Sequence, residues 1–320
     1  MLPPRFLVSI FSVGMMVLGT GAVYSQDYPN KPIRMVTTGV GGDADILLRL
    51  VMPGISDRLG QSVIIENRPA GIIPAEIVSR ATPDGYTLLT MGSPMWIGAL
   101  LQKTPYDPVR DFSPITNMTK SPAVLVVHPS VAANSVKELI ALAKAKPGVL
   151  NYASGGTGGT SHLAAELFNS LAGVNIVRVN YKSGSLRLAA SLNGEVQVQF
   201  ISPGTVASHV KAGKLKSLAV TSAEPSALAP GVPTIAASGL AGYEVVGLQG
   251  LFAPAKTPAA IIKRLNQEVV LYLNQPNVKQ RILDSGEEVV GSSAAEFAAK
   301  VKAEMARMGK VIKDAGIKAD

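Results

Sequence analysis

The segment IRMVTTGVGGDADILL, residues 33–48, decides how this sequence folds. In it a short apolar run leads into a glycine-dense turn at 39–42, and residues 44–59 then show helical spacing of apolar side chains. The same order recurs in LNYASGGTGGTSHLAAELFNSLA, residues 150–172, where the turn is at 155–159. Because a strand followed by a helix is the building unit of α/β proteins, we predict two such units.

Both glycine turns have the features of an anion site. Glycine has no side chain, so the backbone can approach a ligand closely, and the start of a helix presents unpaired N–H groups with a partial positive charge. Each turn is therefore a candidate cradle for a carboxylate or a phosphate. The two together predict a clamp that holds one small anion from two lobes.

The rest of the chain alternates in the same way. Short apolar runs separated by amphipathic stretches predict an α/β fold with a largely parallel sheet. The C-terminal third is mainly helical, and a capping box of Ser293 and Glu296 starts the last predicted helix. The predicted strands are at about 33–37, 63–66, 87–91, 124–128, 150–153, 176–180 and 217–221.

The first 25 residues have the pattern of an export signal. A single basic residue, Arg5, precedes a mostly apolar stretch, and small residues before Gln26 suit a signal peptidase. We predict a signal peptide at 1–25, cleaved near Ser25/Gln26, and a soluble mature protein outside the cytoplasm. The alternative is an uncleaved membrane anchor, but the stretch contains several Ser and Gly residues and is less apolar than a membrane span requires.

Composition excludes several classes of function. The chain has no cysteine, which excludes disulfides, thiolate metal sites and a cysteine nucleophile. Its formal net charge of +8 favours anionic solutes or surfaces, although solubility alone would also explain it. Lys and Arg are scattered, and Trp96 is the single tryptophan, so we expect no nucleic-acid partner. We expect no cofactor.

The first turn also fits a dinucleotide-binding fingerprint. Residues 39–44 have the form G-x-G-x-x-A, and Glu66 ends the next predicted strand at the distance where a ribose-binding acid is expected. Against this alternative, Asp43 and Asp45 would place carboxylates beside a pyrophosphate. Acidic residues also stabilise a helix start. We assign that role to Asp45, whereas Asp43 is open to a cationic or hydroxyl group of a ligand.

The second turn lacks the Gly-Lys-Ser/Thr ending of a phosphate-binding loop. His162 and Glu166 stand four residues apart on one helical face and could hold a metal, but no third ligand is near in the sequence. We expect instead that His162 orients the turn and that no metal binds. The chain has neither G-x-S-x-G nor H-E-x-x-H, so we predict a binding protein rather than an enzyme, with a triad assembled in space left open.

Several further motifs are spread along the whole mature chain. They are YPNKPIR at 28–34, ENRP at 66–69, PDGYTL at 83–88, Tyr181-Lys182 and KAGKL at 211–215. With the turn at 154–163, they resemble the substrate-binding proteins of tripartite tricarboxylate transporters, the Bug or TctC-like family. The approach to the first turn, 37–40, and the residues beside the Tyr-Lys pair, Asn180 and Ser183, depart from the family's pattern, which leaves the ligand's identity open.

The resemblance implies a periplasmic binding protein type II fold, with two lobes and a ligand cleft between them. Lobe 1 would comprise residues 27–124 plus 246–320, and lobe 2 residues 125–245. It also implies a periplasmic receptor, monomeric and without catalysis, that captures a small organic anion and delivers it to a tripartite tricarboxylate-type membrane transporter. The alternative within the same fold is a periplasmic sensor that presents a bound carboxylate to a signalling partner.

The resemblance also implies where the ligand binds. The first cradle would contain Gly41, Gly42 and Asp43. The second would be formed by Ser154, Gly156, Thr157, Gly158 and Thr160. Tyr181 and Lys182 would add a hydroxyl and a cation, with an ordinary surface lysine as the alternative for Lys182. The remaining ligand-binding residues implied are Ser93 and Ser202.

Overall fold

The computed structural model describes residues 28–69, 71–155 and 157–317. The predicted signal peptide and its cleavage site lie outside these residues, as does Gly156. The strands are β1 Ile33–Thr37, β2 Val63–Asn67, β3 Thr87–Gly92, β4 Phe112–Pro122, β5 Val124–Val127, β6 Asn151–Ser154, β7 Val177–Asn180, β8 Val198–Ile201, β9 Lys216–Val220, β10 Val246–Pro254 and β11 Glu288–Val289.

The helices follow the strands much as the apolar spacing predicts, and α1 begins directly after the first glycine turn. They are α1 Asp43–Leu59, α2 Ile73–Ser79, α3 Pro94–Leu101, α4 Val136–Ala145, α5 Thr160–Ala172, α6 Gly184–Leu192, α7 Pro203–Lys211, α8 Ala259–Leu273, α9 Pro276–Asp284 and α10 Ala294–Asp314. None of the helices in the described residues is long and apolar enough to cross a membrane.

The strands form two sheets. The first has the order β11-β4-β10-β3-β1-β2, and the second has the order β7-β6-β8-β5-β9. The chain passes from the first sheet to the second between β4 and β5 and returns between β9 and β10. Two sheets with helices around them confirm the two-lobed α/β fold; the exact lobe boundaries stay a prediction.

The expectation of a largely parallel sheet is wrong for the strands next to the crossings. β1 pairs in parallel with β2 and β3, and β6 with β7 and β8, but β10 is antiparallel to β3 and β4. The reason is the route of the chain: β10 returns from the second sheet, so Val246 lies opposite Pro122 at the end of β4. β5 leaves the junction in the same way and is antiparallel to β8 and β9.

In this arrangement, carboxyl ends of strands in the first sheet face carboxyl ends of strands in the second sheet. β1, β3 and β4 end at the edge of the first sheet where β10 begins, and β6, β8 and β9 end at the edge of the second sheet where β5 begins. Loops at the carboxyl ends of parallel strands are where α/β proteins build ligand sites. The turns after β1, β3, β6 and β8 therefore lie at one junction.

The C-terminal helix joins the two sides of that junction. α10 begins with the predicted capping box, because Ser293 Oγ accepts a hydrogen bond from the Glu296 N–H and the Glu296 carboxylate accepts one from the Ser293 N–H. It packs against both α3 and α5. Its apolar stripe is buried as core, and the fully buried Trp96 of α3 donates its indole N–H to Glu304 Oε2 at 2.7 Å.

Candidate functional site

A cavity of about 910 Å³ lies at the junction of the two sheets. Its wall combines the turn after β3 with that after β6, and strand β10 with the end of β8. This volume is within the range of small-molecule sites in proteins. The cavity is thus where the topology places the loops of both sheets.

Five helices of eight or more residues begin at this cavity. The first-turn N–H groups of a helix have no partner within the helix, and with the helix dipole they give its start a partial positive charge. Convergence of several helix starts therefore favours an anionic group in the cavity. The cavity-lining residues from the starts of α1, α3, α5, α6 and α7 are Asp43, Pro94, Thr160, Gly184 and Thr205.

The first glycine turn is closed on itself. The Gly41 N–H donates to Asp45 Oδ2 at 2.9 Å, and the Gly42 N–H donates to the Gly39 carbonyl at 3.2 Å. Neither Gly41 nor Gly42 lines the cavity, whereas Asp43 does. The predicted donor role of these two glycines stays a prediction, since both N–H groups already have partners within the turn.

Asp45 holds this turn from inside. Its side chain is 1% exposed and accepts hydrogen bonds from Arg49 and Asn67 as well as Gly41. Burial alone would raise its pKa, but these hydrogen bonds outweigh it and lower the pKa of Asp45 to about 2. Because Gly41 precedes the N-cap Gly42, Asp45 fastens the turn to the helix rather than capping a helical N–H.

Glu66, the acid that the dinucleotide alternative requires, has other partners. It forms ion pairs with Arg34 of β1 and with Arg68. The hydrogen bond from Arg34 and the charge of Arg68 lower the pKa of Glu66 to about 2, against the opposing effect of partial burial. Two guanidinium groups thus hold the carboxylate that would have to bind a ribose.

The second glycine turn is held by a side chain of the neighbouring strand β7. Arg178 of β7 donates from Nε to Ser154 Oγ at 2.7 Å, from Nη1 to Thr157 Oγ1 at 2.9 Å and from Nη2 to the Gly155 carbonyl at 2.9 Å. Ser154 is fully buried and does not line the cavity, but Thr157 and Gly158 do. Arg178 therefore fixes the turn from behind and leaves its other side facing the cavity.

His162 has the orienting role expected from the sequence. Its Nδ1 accepts the Gly158 N–H at 3.1 Å, and its Nε2 lies 4.0 Å from Glu166 Oε1. Glu166 in turn accepts a hydrogen bond from the Tyr152 hydroxyl at 2.6 Å. The described residues contain no group of three or more His, Cys, Asp or Glu side chains placed to hold a metal ion.

Gly158 lies against the opposite wall of the cavity. Its φ is +75°, a conformation that residues with a side chain rarely adopt, and a Cβ there would be 2.1 Å from Leu101 Cδ1 of α3. The turn after β6 thus touches a helix that follows β3. Glycine at this position allows the two sheets' loops to meet.

The other predicted residues divide into two groups. Ser93, Thr160 and Ser202 line the cavity, whereas Tyr181 and Lys182 do not. Tyr181 packs against a small apolar cluster that includes Ala153, and Lys182 is exposed. Gly156 lies outside the described residues, so its placement stays a prediction.

Among the polar residues of the cavity wall that sequence reasoning missed are Arg187 of α6 and Gln249 of β10. Arg187 is the one charged residue in the helix GSLRLAASL, a signal that could have been noticed. Gln249 gives no such signal, because only the antiparallel pairing of β10 brings it to the end of β3.

The sequence matches the family model described as tripartite tricarboxylate transporter family receptor over residues 47–317. One curated relative, a UPF0065 protein from the tcbD-tcbE intergenic region of Pseudomonas sp. strain P51, is 31% identical over 96% of this chain and 93% of its own length. Another, Protein BugT of Bordetella pertussis, is 30% identical over 98% of each chain.

Solved structures show the same likeness. A protein of R. palustris with adipate is 34% identical, with a TM-score of 0.73 over 92% of this chain and all of that one. MatC from Rhodopseudomonas palustris with bound malate is 28% identical, with a TM-score of 0.70 over 89% of this chain and all of that one. Both similarities cover nearly the whole of the described residues.

Proposed function

This chain belongs to the tripartite tricarboxylate transporter receptor family, and on that premise we propose that it is a periplasmic receptor for a small organic acid. In this role the mature protein is exported, captures a carboxylate in the cavity between the two sheets and delivers it to the membrane components of a tripartite transporter. It works as a monomer and performs no chemistry on the ligand.

The observation that carries this proposal is the convergence of five helix starts on one cavity. A single helix start favours an anion by about 0.3–1 kcal/mol at an exposed site, and by up to about 2 kcal/mol in a partly buried one. Five of them, with the hydroxyls of the second turn, provide donors on several sides of a carboxylate. Adipate and malate, the acids with which two similar structures were solved, belong to the same chemical class.

The polar lining of the cavity also suits a ligand that accepts hydrogen bonds. The charged side chains among its described lining residues are Asp43 and Arg187, and no histidine is among them. The serines and threonines of the cavity wall carry hydroxyl groups that can donate hydrogen bonds to a carboxylate ligand. One of them, Ser93, is also hydrogen-bonded to the buried Glu304 carboxyl group.

A thermal-shift screen of refolded, ligand-stripped mature protein tests the proposal. Ligand that binds only the folded state at about 1,000 times its Kd stabilises that state by about 4 kcal/mol, so one class of acids should raise the Tm clearly. The panel contains mono- and dicarboxylates, hydroxy acids, amino acids, aromatic acids and nicotinamide nucleotides. A shift with nucleotides alone would support the dinucleotide alternative, and no shift with any acid would contradict the proposal.

Uptake has to be separated from sensing by a second experiment. Deletion of the gene should abolish uptake of the radiolabelled acid that raises the Tm, and the intact gene should restore it. Unchanged uptake, with loss of the transcriptional response to that acid, would instead support the sensor alternative.

A further inference from the structure

We infer that Arg187 binds the anionic group of the ligand and sets the charge that the cavity accepts. This role rests on the carboxylate-receptor function proposed above and assigns it to a residue that neither the glycine turns nor the family motifs include. Arg187 is on α6 and lines the cavity beside Gly155 of the second turn.

The guanidinium of Arg187 lacks the partners that a buried cation requires. Its Nε is buried without a hydrogen-bond partner, and its Nη1 reaches Ser161 Oγ only at 3.4 Å. Within residues 28–69, 71–155 and 157–317 it forms no ion pair with a carboxylate, and burial lowers its pKa. Arg187 is partly buried, and partial burial of a guanidinium without a counter-charge costs free energy. An anion in the cavity would remove that cost.

Comparison with other arginines shows that this state is unusual in the molecule. Arg58 and Arg307 also have a buried Nε without a partner, but each forms an ion pair, with Glu268 at 2.8 Å and with Glu244 at 3.2 Å. Among the three arginines with such an Nε in the described residues, only Arg187 is without a carboxylate. It is also the one that lines the cavity.

The two arginines at the second turn have different tasks. Each of the three nitrogens of Arg178 donates a hydrogen bond to the turn, so three of its five N–H groups serve the structure. Arg187 makes one long contact to the turn, so its capacity is available to a ligand. Guanidinium groups bind carboxylates through two parallel hydrogen bonds, which makes arginine suited to this role.

The local backbone makes room for the guanidinium at the cavity wall. A Cβ at Gly155 would be 2.5 Å from Arg187 Nη1, so glycine at that position lets the side chain lie against the turn. Ser161, in the first turn of α5, is the residue that Nη1 contacts. An anion at the start of α5 would therefore be beside Arg187 as well.

The opposite wall explains why the anionic end faces Arg187. On the side of the first sheet, the cavity is lined by the Asp43 carboxylate and by Gln249, whose Oε1 is buried without a partner. The Asp43 carboxylate would repel the acid group of the ligand, whereas the Gln249 amide is neutral and its unpartnered Oε1 can accept a hydrogen bond. The acid group of the ligand should point to Arg187, and a hydroxyl, ammonium or neutral part should point to Asp43 and Gln249.

Substitution of Arg187 tests this role by calorimetry and thermal shift. The probes are adipate, malate and inorganic sulfate, and the variants are Arg187→Met and Arg187→Lys. Arg187→Met should weaken binding of the acid that the wild type binds by about 30-fold or more, and Arg187→Lys by less, because it keeps the charge and loses the fork. The matched control is Lys146→Met, which removes an exposed cation at the end of α4 and should change affinity less than about twofold.

Stability of the ligand-free protein provides a second readout. If Arg187 awaits an anion, Arg187→Met should leave the ligand-free Tm unchanged or raise it, whereas Arg178→Met should lower it by several degrees. A fall in Tm with Arg187→Met as large as that with Arg178→Met would show that Arg187 holds the fold. Equal binding of every probe by the wild type and Arg187→Met would also overturn the inference.

The outcomes separate this inference from the proposed function. If no carboxylate binds the wild type but sulfate raises its Tm and not that of Arg187→Met, the carboxylate function fails and the anion-binding role of Arg187 stands. If an acid binds the wild type and Arg187→Met equally, the function stands and the role of Arg187 fails. If neither acids nor sulfate bind, both fail.

Discussion

The two glycine turns look alike in sequence and differ in how they are held. The first turn is closed by its own partners, because Asp45 and Gly39 accept the N–H groups of Gly41 and Gly42. The second is fixed from behind by Arg178 and faces the cavity. The electrostatic difference is equally clear, since Asp43 follows the first turn and Arg187 adjoins the second. Similar glycine patterns therefore do not mean similar ligand contacts.

The largest expected effect compares valine at the two turns. Gly158→Val places a β-branched residue at a φ of +75° and against Leu101, so ligand affinity should fall by about 100-fold or more, with a stability cost of about 1–2 kcal/mol. Gly42→Val has an ordinary φ of −77° and lies outside the cavity wall, so its loss should be less than about 10-fold. Calorimetric titration measures both.

Leu101→Ala in the Gly158→Val background separates the two causes of that loss, because it removes the contact and keeps the backbone strain. Circular dichroism and the Tm show whether the variants fold. If Gly42→Val abolishes binding as completely as Gly158→Val, the two turns are equivalent in binding and the contrast between them fails.

The next largest effect concerns the hydrogen bonds of Asp45 that hold the first turn. Asp45→Ala removes a buried carboxylate with three donors, so the free energy of unfolding should fall by about 2–3 kcal/mol. The pKa of Asp45 is lowered to about 2, so its contribution is present above the ordinary aspartate value and is lost as pH falls towards 2. Urea denaturation of wild type and variant at pH 7 and pH 3 measures this.

The difference between Asp45→Ala and the wild type should therefore be smaller at pH 3 than at pH 7. Arg49→Ala is the control, since its exposed side chain contributes one of those bonds and its loss should cost clearly less than the loss of Asp45. An equal cost for both variants would show that the salt bridge, rather than the closed turn, carries the energy.

A smaller expected effect concerns Glu287, a buried acid near Asp43, which follows the first turn. Burial and the nearby Asp43 charge raise the pKa of Glu287 to about 7, against a hydrogen bond from Thr119. Its contribution to stability is therefore fully present below the ordinary glutamate value and is lost as pH rises through about 7. Glu287→Gln should be more stable than the wild type at pH 8 by about 1–2 kcal/mol, and no more stable at pH 4.

Asp43→Asn sharpens that measurement. Removal of its charge should lower the pKa of Glu287, so the pH range over which the wild type loses stability should move to lower values. Chemical denaturation at closely spaced pH values measures the shift. An unchanged pH profile in Asp43→Asn would show that burial alone raises the pKa of Glu287.

The smallest expected effect tests the Tyr-Lys motif. Tyr181 and Lys182 do not line the cavity, so Tyr181→Phe and Lys182→Gln should each change ligand affinity less than about twofold. The affinity of each variant can be measured in the same titration. A loss of affinity above 10-fold would show that the Tyr-Lys pair contributes to ligand binding.

The residues of the site show how far sequence reasoning reaches. Ser93, Thr157, Gly158, Thr160 and Ser202, which the resemblance implied as ligand-binding residues, line the cavity, because each follows the end of a strand and strand ends of this kind meet at one edge. Their contacts with a ligand stay a prediction. Gly41, Gly42 and Ser154 are adjacent in sequence to lining residues but point into their own turns. A glycine pattern identifies a turn and not the partners that its N–H groups choose.

By itself, the sequence determined the family to which the chain belongs. It also determined local features: the strand–turn–helix units, the start of α10 and the buried apolar stripes of the helices. These depend on neighbours a few residues apart, whose spacing is visible in the chain. The tertiary structure alone decided the reversed direction of β10, which brings Gln249 to the cavity, and the position of Arg187 without a carboxylate. Such features depend on residues distant in sequence, and burial and charge pairing are set only when the two sheets meet.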